Sequence, residues 1–207
     1  MAGGTKERIL AAACELFNQL GEPNVTTQAM ADALEMSSGN LHYHFQTKRA
    51  IVHELVARYE HELLAVMATP VDRRADLDDL WLLLHLSFEL MGKYEFIYRD
   101  LTDLCGRYPK VRRQLVGLMR LYRETLALLM DDFNEEGLMM ATPSQIERLV
   151  ETMTLLSNFW LAQHRVFSPQ TTADPNSAVS LVMSALTPFL TPEASMHLAH
   201  IQSQYQQ

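Results

Sequence analysis

The chain has 207 residues, of which 48% are hydrophobic and 20% charged, with only eight Gly and eight Pro. That balance supplies the core of one or two domains and too few turn formers for a many-stranded fold. The formal net charge of −8, with five Lys/Arg against seven Asp/Glu in residues 1–60 and twelve against eighteen in 61–207, excludes a protein that coats nucleic acid through bulk charge.

Ile9, Ala13, Leu16, Phe17 and Leu20 recur at helical spacing, so residues 5–20 are expected to form an amphipathic helix stopped by Gly21 and Pro23. Thr26, Ser37 and Thr47 are N-cap residues for two short helices at 27–34 and 38–45 and a long one at 48–68. Asp76 to Asp79 open a helix at 76–92, the acidic side chains suiting its N-terminal dipole. Further helices are expected at 94–106 and 109–136, the latter with Pro109 at its first position and Gly137 after its end. Thr142-Pro143-Ser144-Gln145 is a capping box for a helix at 143–167, and Asp174-Pro175 and Thr191-Pro192 repeat the cap-then-proline device for helices at 175–190 and beyond 192. No strand-like alternation and no repeat interrupts the pattern, so the expected fold is all-α. No apolar run is long enough to span a bilayer, and the N-terminus lacks the order of a signal peptide. Cys14 and Cys105 have no CxxC partner, which removes a disulfide scaffold and a zinc ribbon and suits the cytoplasm.

Thr26 to Lys48 is the most informative stretch. Two short helices with a tight turn between them, and Ala31 as the small residue at their crossing, have helix-turn-helix dimensions. The second helix should enter the major groove. It carries no Lys or Arg, so base readout falls to Ser38, Asn40, Tyr43 and His42, with Gly39 letting the backbone approach and Leu41 and Phe45 turned to the core. Asn suits adenine because its amide donates and accepts in one plane.

The run Thr26-Thr27-Gln28-Ala29-Met30-Ala31-Asp32-Ala33-Leu34-Glu35-Met36-Ser37-Ser38-Gly39-Asn40-Leu41-His42-Tyr43-His44-Phe45-Gln46-Thr47-Lys48 resembles the signature of the TetR family of transcriptional regulators, with His44-Phe45 followed by Lys48 as its most diagnostic part. The match covers about residues 5–60, and Tyr94 to Leu101 resembles one subgroup's C-terminal domain. The resemblance implies an N-terminal three-helix DNA-binding domain over 1–47, linked through helix 48–68 to an all-helical effector-binding and dimerisation domain over 48–207. It implies phosphate contacts from Thr27, His42, His44 and Lys48, with Gln28 near a base or phosphate. Two departures stand out: Glu35 occupies the turn position usually held by Gly, and His42 replaces a usual Tyr.

One short helix reads too few base pairs to find a site in a genome, which a two-fold dimer on a palindromic operator solves. Helices 143–167 and 175–190 each carry an apolar surface wide enough for a core and a partner, and the resemblance makes them a four-helix homodimer interface. Trp81, His85, Phe88, Met91, Tyr94, Tyr98, Met119, Tyr122, Phe159 and Trp160 are the candidate lining of a pocket for a small, largely apolar effector. The expected function is a ligand-released repressor. The alternatives are a DNA-binding helical protein without an effector and a helical enzyme. The enzyme lacks its residues: His53-Glu54 and His61-Glu62 begin an HExxH motif, but Ala57 and Ala65 stand where the second histidine belongs. No metal or cofactor is called for.

Overall fold

A computed structural model describes residues 4–68, 74–168, 171 and 173–205. The described residues form eleven α-helices: α1 (Thr5–Leu20), α2 (Thr27–Ala33), α3 (Ser38–His44), α4 (Lys48–Met67), α5 (Leu77–Lys93), α6 (Glu95–Arg99), α7 (Leu101–Arg107), α8 (Pro109–Glu135), α9 (Pro143–Phe167), α10 (Pro175–Leu186) and α11 (Pro192–Tyr205). None of them is long and apolar enough to cross a membrane. The expected caps form: Thr26 accepts from Ala29 N–H at 3.1 Å, Ser37 from Asn40 N–H at 3.2 Å, and Thr47 from Ala50 N–H at 3.2 Å. Thr142 and Gln145 close the reciprocal capping box of α9.

Two expected helices differ from their sequence boundaries. The segment expected as one helix at 94–106 breaks at Asp100, whose φ of −110° and ψ of 25° are not helical. The break lets α6 turn onto the end of α1: Arg99 donates to the carbonyls of Asn18 and Phe17 at 2.7 and 2.9 Å, and Phe96 N–H donates to Asn18 Oδ1 at 2.9 Å. Arg99 thereby gives a donor to the Asn18 carbonyl in the last turn of α1, and a second to Phe17 O, which also accepts from Gly21 N–H. The helix expected at 175–190 ends at Leu186, because Pro188 lacks an amide and its ring crowds the preceding turn. A 3₁₀ turn at Thr187–Phe189 follows, and Leu190 pairs with Met139 in an isolated antiparallel bridge.

The chain packs as two compact units. One holds the residues up to Glu62 together with Tyr94–Leu115, so α6, α7 and the start of α8 belong with the N-terminal helices. Its core joins Ile9, Phe17, Met30, Leu41, Val52 and Tyr59 to Phe96 and Ile97, with the Phe17 and Phe96 rings 5.3 Å apart. The other holds Leu63–Lys93 and the chain from Val116 onward. There α5, α9 and α10 bury Leu80, Leu84, Phe88, Met153, Leu161, Val182 and Met183 against one another.

The turn after α2 carries the sequence's first departure. Met36 N–H reaches back to Ala31 O and Glu35 N–H to Asp32 O, the pattern that places the intervening residue in the left-handed region. Glu35 sits there at φ 52°, the only non-glycine at positive φ among the described residues. Its Cβ costs about 1–2 kcal/mol in that conformation, part of which a glycine would return as chain entropy in the unfolded state. Glu35→Gly is expected to raise the melting temperature by about 3 °C, the effect of about 1 kcal/mol on a chain this size; a scan showing no rise would refute the strain.

Candidate nucleic-acid interface

α2 and α3 cross over Met30, Ala31 and Leu41, all fully buried, while Phe45 closes the end of α3 at 5% exposure. That packing leaves the opposite face of α3 to solvent. Gly39, Asn40 and His42 are exposed, Tyr43 is 84% exposed, and Ser38 and His44 are half-buried. The Tyr43 ring stands edge-on to His44 with centroids 5.3 Å apart, which orients both rings on one side of the helix. On α2, Thr27 lies in the first turn, where free amides favour an anion. Gln28 is exposed, donates to Asp32 Oδ1 at 2.7 Å and accepts from Ser38 Oγ. Ser38, Gln28 and Asp32 therefore form one hydrogen-bonded row across the top of the two helices, holding the polar readers in place before any ligand arrives.

Lys48, expected at a phosphate, is tied inward in the DNA-free chain. Its ammonium turns inward and donates to the carbonyls of Glu22 and Val25, each at 2.9 Å, and pairs with Glu22 Oε1 at 3.1 Å. An ammonium has three N–H donors, and all have acceptors inside the protein, so the side chain is not available to a phosphate in this arrangement.

Glu22 is the centre of that arrangement. It is fully buried, and besides Lys48 it meets the Arg107 guanidinium and accepts from Tyr108 Oη at 2.7 Å. Arg107 is also tied to Asp103 at the end of α7. Burial pushes the Glu22 carboxyl up, but the bonds from Arg107, Tyr108 and Lys48 together hold it below the ordinary carboxylate value. The same knot pushes the Tyr108 phenol, already raised by burial, up to about 12. A carboxylate whose folded pKa is depressed contributes stability above its unfolded pKa and loses it as pH falls through the folded value. Melting temperature is therefore expected to fall as pH drops below the ordinary 4.5 of a glutamate, and less steeply in Glu22→Gln. No local pattern marks this cluster, because Glu22 and Tyr108 are 86 positions apart.

The candidate effector residues separate. Tyr94 and Tyr98 belong to the N-terminal unit. There Tyr98 shares a 2.5 Å hydrogen bond with Tyr59, and Tyr94 donates to Glu62 at 2.7 Å. These two are part of an aromatic core of that unit; the other eight candidates lie in the second unit. Trp81 stacks on His85 at 4.6 Å, Phe88 meets the edge of Trp160 at 5.7 Å, Met91 and Tyr122 are buried, and Met119 is half-buried. Phe159 is 44% exposed and points away from the core. None of the ten lines either of two clefts of that unit. One, of about 420 Å³, lies between α8 and α9 beside Arg120, Arg123 and Ile146. The other, of about 100 Å³, lies between α4, α5 and α8 beside Val66, Leu83, Leu86 and Thr125.

An all-helical chain with a capped helix-turn-helix, an exposed polar edge on its second short helix and a separate helical unit belongs to the class of DNA-binding transcription regulators. The comparisons make this specific. The family described as "Bacterial regulatory proteins, tetR family" matches residues 9–55, and "TetR: Bacterial transcriptional repressor" matches residues 58–198. The chain is a member of the TetR family of transcriptional regulators. It is 25% identical to the HTH-type transcriptional regulator UidR of Escherichia coli over 64% of this chain and 68% of that one. It is 28% identical to the HTH-type transcriptional repressor KstR2 of Rhodococcus jostii over 47% and 50% of the two chains. A solved TetR-family regulator from Marinobacter aquaeolei superposes with a TM-score of 0.87 at 26% identity, covering 98% of this chain and 99% of that one. The chain is thus a regulator and not an enzyme.

Proposed function

We propose that this protein is a cytoplasmic, sequence-specific repressor that binds a palindromic operator as a homodimer and leaves it when a small, largely apolar effector binds. The observation that carries the reading is the solvent-facing edge of α3, where Asn40 and the 84% exposed Tyr43 project from a helix whose other side is locked into the core. Asn40, Tyr43, Ser38 and His42 read base edges, Gly39 admits the backbone, and Thr27, Gln28 and His44 hold the sugar-phosphate chain. The reading surface lies within residues 1–47, carried by the compact unit that also takes in Tyr94–Leu115, and the effector and dimer roles fall to helices of the other unit. Selection of bound DNA from a random pool tests the reading: an inverted repeat with half-sites about one helical turn apart is expected, and a pool that yields no enriched sequence would overturn it.

The homodimer places α9 and α10 against their copies. α9 leaves Leu155 and Phe159 exposed at 59% and 44%, and α10 leaves Leu181 at 38%, on faces opposite the buried Met153, Leu161, Val182 and Met183. Large apolar side chains grouped in this way suit a partner of the same chemistry. Phe159→Glu is expected to convert the dimer to a monomer in sedimentation, with a melting curve that stays cooperative; an unchanged mass would place the interface elsewhere.

A further inference from the structure

The helix-turn-helix has almost no positive charge of its own to offer a polyanion. α2 and α3 contain no Lys or Arg, and the Lys48 ammonium is occupied by Glu22 and two carbonyls. The phosphate contacts proposed above fall to Thr27, Gln28 and His44, none of them a permanent cation. Protein–DNA affinity draws on Lys and Arg side chains that neutralise phosphates and release their counterions. A regulator of net charge −8 therefore needs such groups elsewhere on the unit that meets the duplex.

The start of α8, which packs within that unit, supplies them. From Arg107 to Arg123 the chain holds six Lys/Arg and no Asp/Glu. Arg107 belongs to the Glu22 knot, but Lys110, Arg112 and Arg113 are exposed and have no ion pair among the described residues. Nearby carboxylates are engaged elsewhere: Glu7 and Glu54 by Arg58, Asp103 by Arg107, and Glu60 by Gln114. Lys110 and Arg112 also lie in the first turn of α8, at the positive end of its dipole, with no acidic residue beside them. Unpaired charge placed where it works against its own helix marks a surface kept for a partner.

That end of α8 is laid against α4, the helix that follows α3 directly. Tyr108 stands edge-on to His53 with ring centroids 6.1 Å apart, and two turns further along α4 Gln114 donates to Glu60 at 2.8 Å. Arg49, exposed in the first turn of α4, precedes His53 by one turn. Burial, then Lys110 and Arg49, push the His53 imidazole down, and Arg49 also acts on the Tyr108 phenol, so the cations of the two helices flank one histidine. Lys110 and Arg113, three positions apart, share a face of α8. We propose that Arg49, Lys110 and Arg113 form a second DNA surface, which holds the phosphate backbone of the duplex outside the bases that α3 reads. This deepens the DNA-binding reading above and rests on it. Three cations spread over two helices on an open face suit a row of phosphates and not one small anion.

The test follows binding of the full chain to the selected operator by fluorescence anisotropy over a range of salt concentrations. Lys110→Gln/Arg113→Gln is expected to weaken binding about tenfold and to reduce the slope of log affinity against log salt by about two per chain. Binding to an unrelated duplex of the same length should weaken by the same factor, because phosphates carry no sequence. The variant is expected to melt at or above the wild-type temperature, since charge leaves the positive end of α8. Arg120→Gln/Arg123→Gln removes as much charge from the same helix in the other unit and is expected to leave the slope unchanged. An unchanged slope in Lys110→Gln/Arg113→Gln, or an equal fall in the two double variants, would overturn the surface. If Asn40→Ala still loses affinity in that case, the operator reading stands without it. If no sequence is selected from the pool but the slope on a random duplex falls by about two, the surface stands and the sequence-reading proposal is removed. Phosphatidylglycerol vesicles provide the remaining arm: vesicle binding lost in Lys110→Gln/Arg113→Gln while the DNA slope is unchanged would assign this face to a membrane and overturn the proposal.

Discussion

Glu22→Leu is expected to lower the stability of the protein by about 3–5 kcal/mol, the usual effect of taking one partner out of a buried ion cluster. The residue is fully enclosed, and its removal leaves the Lys48 ammonium and the Arg107 guanidinium facing each other without their shared anion. A drop of about 10 °C in melting temperature follows at this chain length, and a loss under about 1 kcal/mol would show that water replaces the carboxylate with little penalty. Lys48→Met separates the two roles open to this lysine. As an internal tie, it lowers the melting temperature and leaves the salt dependence of operator affinity unchanged in the folded protein. As a phosphate contact, it would leave the melting temperature alone and reduce the slope of log affinity against log salt by about one. The three inward donor contacts of Lys48 favour the first result.

Tyr43→Ala and Asn40→Ala are expected to weaken operator binding by about 10- to 100-fold each, the range of one lost base contact, with the melting temperature unchanged because neither side chain contributes to the core. Asn40→Ala should also relax the preference at one base pair in each half-site, whereas Thr27→Ala should weaken all sequences alike. Anisotropy titrations against the selected operator and single-base variants read both effects. Full affinity in Tyr43→Ala and Asn40→Ala together would place the reading surface away from α3.

The helix-turn-helix was legible in the sequence because each of its determinants is local. Thr26, Ser37 and Thr47 cap within three residues of themselves, Ala31 marks the crossing, and Glu35 at the turn gives a definite conformation to look for. The exposed edge of α3 follows from the burial of Leu41 and Phe45 at helical spacing. The break at Asp100 was not legible: its cause is Arg99 reaching the carbonyls of α1, more than 80 residues earlier. The inward ties of Lys48 are invisible locally for the same reason, since nothing near it in sequence shows that Arg107 and Tyr108 converge on the same glutamate. Aromatic and Met side chains at helical spacing mark a ligand pocket and ordinary core alike, and Tyr94 and Tyr98 lie in core.

The grouping of Tyr94–Leu115 with the N-terminal helices bears on how far this protein is modular. Cutting after Glu62 would strip the α1 terminus of Arg99 and leave Glu22 with only Lys48. A chimera that grafts this DNA specificity onto another regulator's sensor must therefore carry two separate stretches of chain, and a shuffling event that moved the first sixty residues alone would transplant an unfinished piece.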